Sequence, residues 1–210
     1  MATPGEIPAY TERYCRRAFF EETLGELVPS DEWTDAPSHW WTDPSLVDDR
    51  PAYEPNPGRR WAGTGETVSG RLWGGNLSIV EWHLATDRYL PDPDRLDGAV
   101  LDIETAQHVP EPEMVGATLM VMGERGLLER FAGVLVGRPP TRSHLVEKPA
   151  AERVEYREQF YDTVVEWVGR YNPDAPVVLG LDWGHTNPIA PLALGREVEI
   201  RPDDRTVVVR

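Results

Sequence analysis

Two residue types are almost missing from this chain. Of 210 residues, one is cysteine (Cys15) and one is lysine (Lys148), so nearly every basic side chain is arginine. A single cysteine excludes a disulfide framework and a thiolate metal cluster. Set in "TERYCRRAFF", Cys15 reads as a small buried side chain and not as a nucleophile. No stretch approaches the ~20 apolar residues that a membrane span needs. The opening "MATPGEIPAY" has neither the basic nor the apolar region of a secretion signal, so the expected setting is cytoplasmic. Positive charge is scarce too: 21 arginines and lysines stand against 36 acids, a formal charge of -15. A surface this acidic repels nucleic acid polymers and anionic membranes, and neither is expected as a partner.

Several catalytic signatures are also absent. The five histidines (His39, His83, His108, His144 and His185) never fall at metal-ligand spacing, so no metal is expected. The six serines (Ser30, Ser38, Ser45, Ser69, Ser78 and Ser143) include none in a G-x-S-x-G elbow. Gly74-Gly75-Asn76 opens a helix but lacks the G-x-G-x-x-G pattern and the P-loop lysine, and no cofactor is expected.

What is present is a regular alternation from residue 67 onward. "TVSGRLWGG" reads as a strand ending in a Gly-Gly turn, and Asn76 then caps an apolar helix, "NLSIVEWHLA". "GAVLDIE", "FAGVLVG" and "PVVLGLD" are apolar runs of strand length. They alternate with helices expected over 112–126 and 150–171, the latter carrying an apolar stripe through Val154, Tyr161, Val164, Val165, Val168 and Tyr171. Continuous apolar strands between helices imply a mostly parallel sheet with flanking helices, an α/β fold. "REVEIRPDDRTVVVR" adds a carboxyl-terminal hairpin turning at 202–204. Residues 67–210 thus form an α/β domain.

Residues 1–66 differ. The spacing predicts a helix over 8–27, followed by a segment rich in Pro, Gly, Asp and Trp with neither helical nor strand period. Its four tryptophans (Trp33, Trp40, Trp41 and Trp61) argue for an ordered, Trp-rich irregular arm.

In open parallel sheets, ligands bind beyond the carboxyl ends of the strands. That rule selects Gly74-Gly75-Asn76, 102–105, Gly137-Arg138 and 182–186. Glu104 in "LDIET" and His185 in "LDWGHT" are the titratable groups best placed to meet. A carboxylate that holds an imidazole in one tautomer is the orienting half of a nucleophilic triad. A helix-start glutamate and a structural histidine remain the alternatives, and no serine of the chain completes a triad by spacing.

Taken together, "GRLWGGNLSIVEWHLAT", "AVLDIET", "RGLLERFAGVLVGRP" and "VVLGLDWGHTNPIAPLALG" resemble the carboxyl-terminal domain of the LD-carboxypeptidases. This family of serine peptidases includes the microcin C immunity proteins, whose branch the arm segment "LVPSDEWTD" resembles more closely. The resemblance implies a Ser-Glu-His triad that cleaves a carboxyl-terminal amide, with Glu104 as the glutamate and His185 as the histidine. It implies that Gly75 and Asn76 line the substrate cleft and that Trp33 or Trp41 stacks on a nucleobase. The substrate would be an L,D-linked peptidoglycan peptide or a peptidyl nucleotide, and family members are commonly homodimers. It also implies that the serine belongs to a separate amino-terminal domain which this sequence lacks, residues 1–66 being the remnant of an inter-domain region. The chain alone is then expected to be nearly inactive. A non-catalytic binding module and one half of a split enzyme are the rival expectations.

Overall fold

A computed structural model of the chain describes residues 7–37, 42–63 and 65–210. In chain order its elements are α1 (Ala9–Phe20), β1 (Gly25–Glu26), β2 (Glu32–Trp33), β3 (Glu54–Pro55), β4 (Arg60–Ala62), β5 (Val68–Asn76), α2 (Leu77–Thr86), β6 (Val100–Glu104), α3 (Pro112–Glu124), β7 (Gly133–Gly137), α4 (Ala150–Tyr171), β8 (Val177–Leu181), β9 (Glu197–Arg201) and β10 (Thr206–Val209). Eight strands form one sheet in the order β1-β10-β9-β5-β6-β7-β8-β4, and β2 pairs with β3 apart from it. The four central strands β5 to β8 are parallel. The sheet is therefore α/β at its centre, as the apolar runs imply, and antiparallel at both ends. At one end the β9–β10 hairpin pairs with the first half of β5, and β1 pairs with β10. At the other end β4 runs antiparallel to β8.

Both faces of the central strands are covered, which is why those strands read as unbroken apolar runs rather than as alternation. Leu101 and Ile103 of β6, Val134 and Val136 of β7, and Val177 and Leu179 of β8 face α2, α3 and α4. The intervening Val100, Leu135 and Val178 face Tyr14 of α1, Leu24, Leu27, Trp183 and the hairpin residues Val198, Ile200, Val207 and Val209. Helix α4 has the longest interface on the first face, through Tyr156, Phe160, Tyr161, Val164 and Val168. Val154, assigned by spacing to the apolar stripe, is half exposed near the start of the helix.

Strand β8 contains the irregularity that matters for function. Val136 pairs with Leu179, but Gly137 pairs with Leu181, so β8 carries one extra residue at Gly180. Gly180 takes φ +82°, a conformation that favours glycine. A one-residue shift reverses which face each later side chain meets. Leu181 consequently joins the α1 face of the core instead of the helix face, and the loop carrying Asp182, Trp183 and His185 is re-aimed with it.

Two expectations for the first 66 residues are corrected. The helix expected over 8–27 ends at Phe20, and the chain then extends to add β1 to the hairpin. Cys15 of α1, expected to be buried, is partly exposed. The arm has its own anchors in the chain. Asp182 Oδ1 accepts from Ser30 Oγ at 2.8 Å and lies 2.9 Å from Arg138 Nη1, both charged side chains being fully buried. Asn56 Oδ1 accepts from Arg138 Nη2 at 2.9 Å, while Asn56 Nδ2 donates to the Ser30 carbonyl at 2.7 Å. Further along, Asp35 accepts from the Thr141 N–H at 2.8 Å and from Arg142 Nε at 2.9 Å. Among the described arm tryptophans, Trp33 is buried and Trp61 is half-buried against the α1-side core.

Candidate active site

The site lies at the carboxyl ends of β5, β6 and β8, the edge that parallel-sheet topology selects. Neighbouring parallel strands place Asn76 beside Glu104 in register, at the ends of β5 and β6. Glu104 is the last residue of β6, and its side chain is 13 % exposed. Its Oε2 lies 2.8 Å from His185 Nδ1, and its Oε1 accepts from Asn76 Nδ2 at 2.8 Å. The two carboxylate oxygens are thus committed to different partners. A carboxylate only accepts, so the Nδ1 proton is fixed towards Glu104 and Nε2 is left with the lone pair. The imidazole is 28 % exposed, enough to present that nitrogen to a ligand.

Asn76 serves the site twice. Its Oδ1 accepts from the Ser78 N–H at 3.1 Å and caps α2, which fixes the amide, while its Nδ2 holds Glu104. The preceding glycines bring the strands this close. Gly74 has φ +139°, and a Cβ there would stand 1.8 Å from the Asp102 carbonyl oxygen. Gly75 has φ +127° and would meet nothing, so it is the backbone conformation that calls for glycine there. Gly184 performs the same service from the other side. With φ +88°, its Cβ would lie 2.9 Å from Glu104 Oε2 and 3.0 Å from Glu104 Cβ. Only a residue without a side chain lets the loop after β8 lay His185 against Glu104.

The residues that strand-end placement and the family resemblance singled out therefore separate into groups. Glu104, His185, Asn76 and Gly75 come together. Trp33 does not join them: it is 3 % exposed, with the Arg138 guanidinium 5.1 Å and the Arg157 guanidinium 6.0 Å from its ring centre. Trp41 lies outside the described residues. No serine hydroxyl hydrogen-bonds His185 among the described residues. Ser30 is committed to Asp182, and Ser143 Oγ donates to the Gln107 carbonyl at 2.5 Å. Also among the described residues, no three His, Cys, Asp or Glu side chains gather as metal ligands, and no helix is long and apolar enough to cross a membrane.

Asp102 is the residue that spacing did not single out for a role of its own. It precedes Glu104 by two positions, is 4 % exposed, and its Oδ1 has no hydrogen-bond partner among the described residues. Burial first, and then the charge of Glu104, push its carboxyl up to about 7. The Trp183 indole N–H opposes that rise slightly, although it stops short of hydrogen-bonding geometry. A charged residue inside an otherwise apolar strand, V-L-D-I-E, is the signal that could have drawn attention to it.

The same elements occur in known proteins. The sequence profile of the LD-carboxypeptidase C-terminal domain matches residues 69–200. The chain belongs to this family. It carries the family's carboxyl-terminal domain, and no curated protein sequence matches it. Among solved structures, it is similar to an MccF-like protein from Streptococcus pneumoniae in complex with AMP, with a TM-score of 0.78 and 21 % identity. That match covers 99 % of this chain and 59 % of the relative. The MccF-like protein from Bacillus anthracis str. Ames matches with a TM-score of 0.75 and 18 % identity, over 98 % of this chain and 56 % of its own. The microcin C7 self-immunity protein MccF in complex with aspartyl sulfamoyl adenosine matches at 0.66 and 20 %, over 88 % of this chain and 49 % of its own. At these identities the likeness shows the fold, which extends through the arm. The chain spans a little over half the length of the relatives it matches most fully.

Proposed function

We propose that this LD-carboxypeptidase domain supplies the base and its orienter to a serine-type amide hydrolase, with the serine coming from a separate domain. The observation that carries this is the contact of Glu104 with His185 at 2.8 Å, braced by Asn76. In the proposed reaction, His185 Nε2 takes the proton of the attacking serine hydroxyl as its oxygen bonds to the amide carbon. The same nitrogen returns the proton to the departing amine, and a water activated there cleaves the acyl-enzyme. Glu104 stabilises the imidazolium that forms in each half-reaction. Gly75 and Asn76 flank the substrate at the start of α2, where free backbone N–H groups favour a carboxylate.

The proposed substrate is an amide bearing a free carboxylate, with a peptidyl or aminoacyl nucleotide preferred over an L,D-linked muropeptide. The preference rests on the relatives solved with AMP and with aspartyl sulfamoyl adenosine, and on the fold shared with them across the arm. Trp33 and Trp41 are the proposed aromatic contacts for the base. Since Trp33 is buried under two guanidinium groups, a stacking role for it requires the arm to shift. A homodimer in a cytoplasmic setting completes the proposal, and sedimentation velocity tests the dimer.

The test joins to this chain the part of the Streptococcus pneumoniae relative that the match leaves uncovered, which the proposal expects to bear the serine. Hydrolysis of aspartyl sulfamoyl adenosine and of an L,D-linked muropeptide is then compared. Turnover of the nucleotide analogue at the higher kcat/KM supports the proposal. Preference for the muropeptide transfers the chain to the cell-wall class. Tight binding of either compound without turnover favours a binding module.

A further inference from the structure

We propose that Asp102 is a positioning residue of this site, a second carboxyl behind Glu104 that sets the charge against which the His185 ring is held. The proposal rests on His185 acting as the base and Glu104 as its orienter.

The placement follows from strand geometry. Residues two apart in a strand share a face, so the Asp102 side chain lies on the Glu104 face of β6, while Leu101 and Ile103 point to the helices. The flanking strands offer it nothing polar in register: Gly74 on β5 has no side chain, and Leu135 on β7 is apolar. The loop after β8 contributes Trp183, whose Nε1 is buried and has no hydrogen-bond partner among the described residues. Glu104 is the charged group that acts on Asp102, and Glu104 in turn touches His185.

Packing does not account for an aspartate here. A buried carboxyl with an unpartnered oxygen is worse placed than leucine at a strand position between apolar neighbours. What the group does instead is add or withhold one negative charge on the face that orients the base. With Asp102 protonated, Glu104 alone faces the imidazole. With Asp102 ionised, two negative charges favour the imidazolium, and His185 holds its proton more tightly. The carboxyl is pushed up to about 7, so both states are populated near neutrality. Asp102 is separated from the ring by Glu104, so a charge on it is expected to act on His185 through that carboxylate, by roughly threefold to tenfold in proton affinity.

The experiment is NMR titration of this chain between about pH 5 and 9, following the His185 ring and the 13C-labelled Asp102 carboxyl. The expected result is an Asp102 carboxyl that titrates near neutrality, with a matching inflection in the His185 curve. D102N and D102L are both expected to remove that inflection and to weaken His185 proton binding by about threefold to tenfold. The Asp102→Glu variant, which keeps the charge, restores it. An Asp102 that titrates in the ordinary carboxylate range, or a His185 curve indifferent to both neutral variants, overturns the proposal. The wild-type carboxyl titration decides even if both variants misfold. Failure of the active-site reading has a separate signature in the same spectra, a His185 ring whose Nδ1 carries no proton shared with Glu104.

Discussion

Gly184 decides whether Glu104 and His185 can meet at all. Replacing it with alanine sets a methyl group within 3 Å of the Glu104 side chain and strains a backbone at φ +88°. We expect Gly184→Ala to stretch the 2.8 Å contact and lower kcat/KM of the joined enzyme by at least about tenfold, with KM little changed. Retention of full kcat/KM in a folded variant would show that the close approach is unnecessary. Glu104→Gln is a harsher change, since an amide can present its NH2 group to Nδ1 and stabilise the wrong tautomer. Its expected cost is on the order of 10⁴-fold in kcat, read from single-turnover kinetics. At this scale the meeting of Glu104 and His185 was legible in the sequence, because both are titratable groups at the ends of apolar strands. The double duty of Asn76 was half legible, since its cap on α2 is local but its bond to Glu104 crosses to another strand. The surroundings of Trp33 were not legible. The Arg138 guanidinium that covers it comes from more than 100 positions away in the chain, and no spacing reveals it.

At the scale of elements, the bulge at Gly180 and the buried Arg138–Asp182 pair hold the loop that carries His185. Removing one member of a buried pair leaves an uncompensated charge, at a cost of roughly 3–5 kcal/mol. Arg138→Met should therefore lower the denaturant midpoint sharply, because Asp182 would retain its Ser30 bonds, a long contact from the Tyr10 hydroxyl at 3.4 Å and the charge of Arg59, with no ion pair in contact among the described residues. The Arg138→Met, Asp182→Leu double variant should recover much of that loss. If chemical denaturation finds the single variant as stable as wild type, the pair does not anchor the loop. Long elements such as α4 and the apolar strands β6 to β8 were readable, since their periods run through many residues. Strands β1 to β4 span two or three residues each and have no period to read. They form because β10, β3 and β8 offer them partners. The early end of α1 has the same origin: helical spacing continues past Phe20, but β10 captures Gly25 and Glu26.

For the whole molecule, folding binds a proton at Asp102 that the unfolded chain releases. The unfolded carboxyl titrates at its ordinary value of 3.8 and the folded one at about 7. Between these values the folded state holds the extra proton, so its stability falls as pH rises through that window. The penalty is complete above neutrality, and an upper bound is on the order of 4 kcal/mol. Thermal melts at pH 5 and pH 8 should accordingly differ more for wild type than for Asp102→Leu, against the roughly common background of the other acids. Equal differences would place Asp102 in contact with water. The net charge of -15 was legible from composition and is spread over a fold whose parallel centre was legible too. The order of the arm was legible only as an argument against disorder, since its partners are scattered from Arg138 to Val209.

The central claim is that His185, held by Glu104, is the base of a hydrolase whose serine lies elsewhere. Its most direct test is the burst of acyl-enzyme formation in the joined enzyme, measured for wild type and His185→Ala with the same activated substrate. The account predicts a burst in wild type and its loss by several orders of magnitude in rate in the alanine variant, with substrate binding retained. A burst of undiminished rate without the imidazole would contradict it.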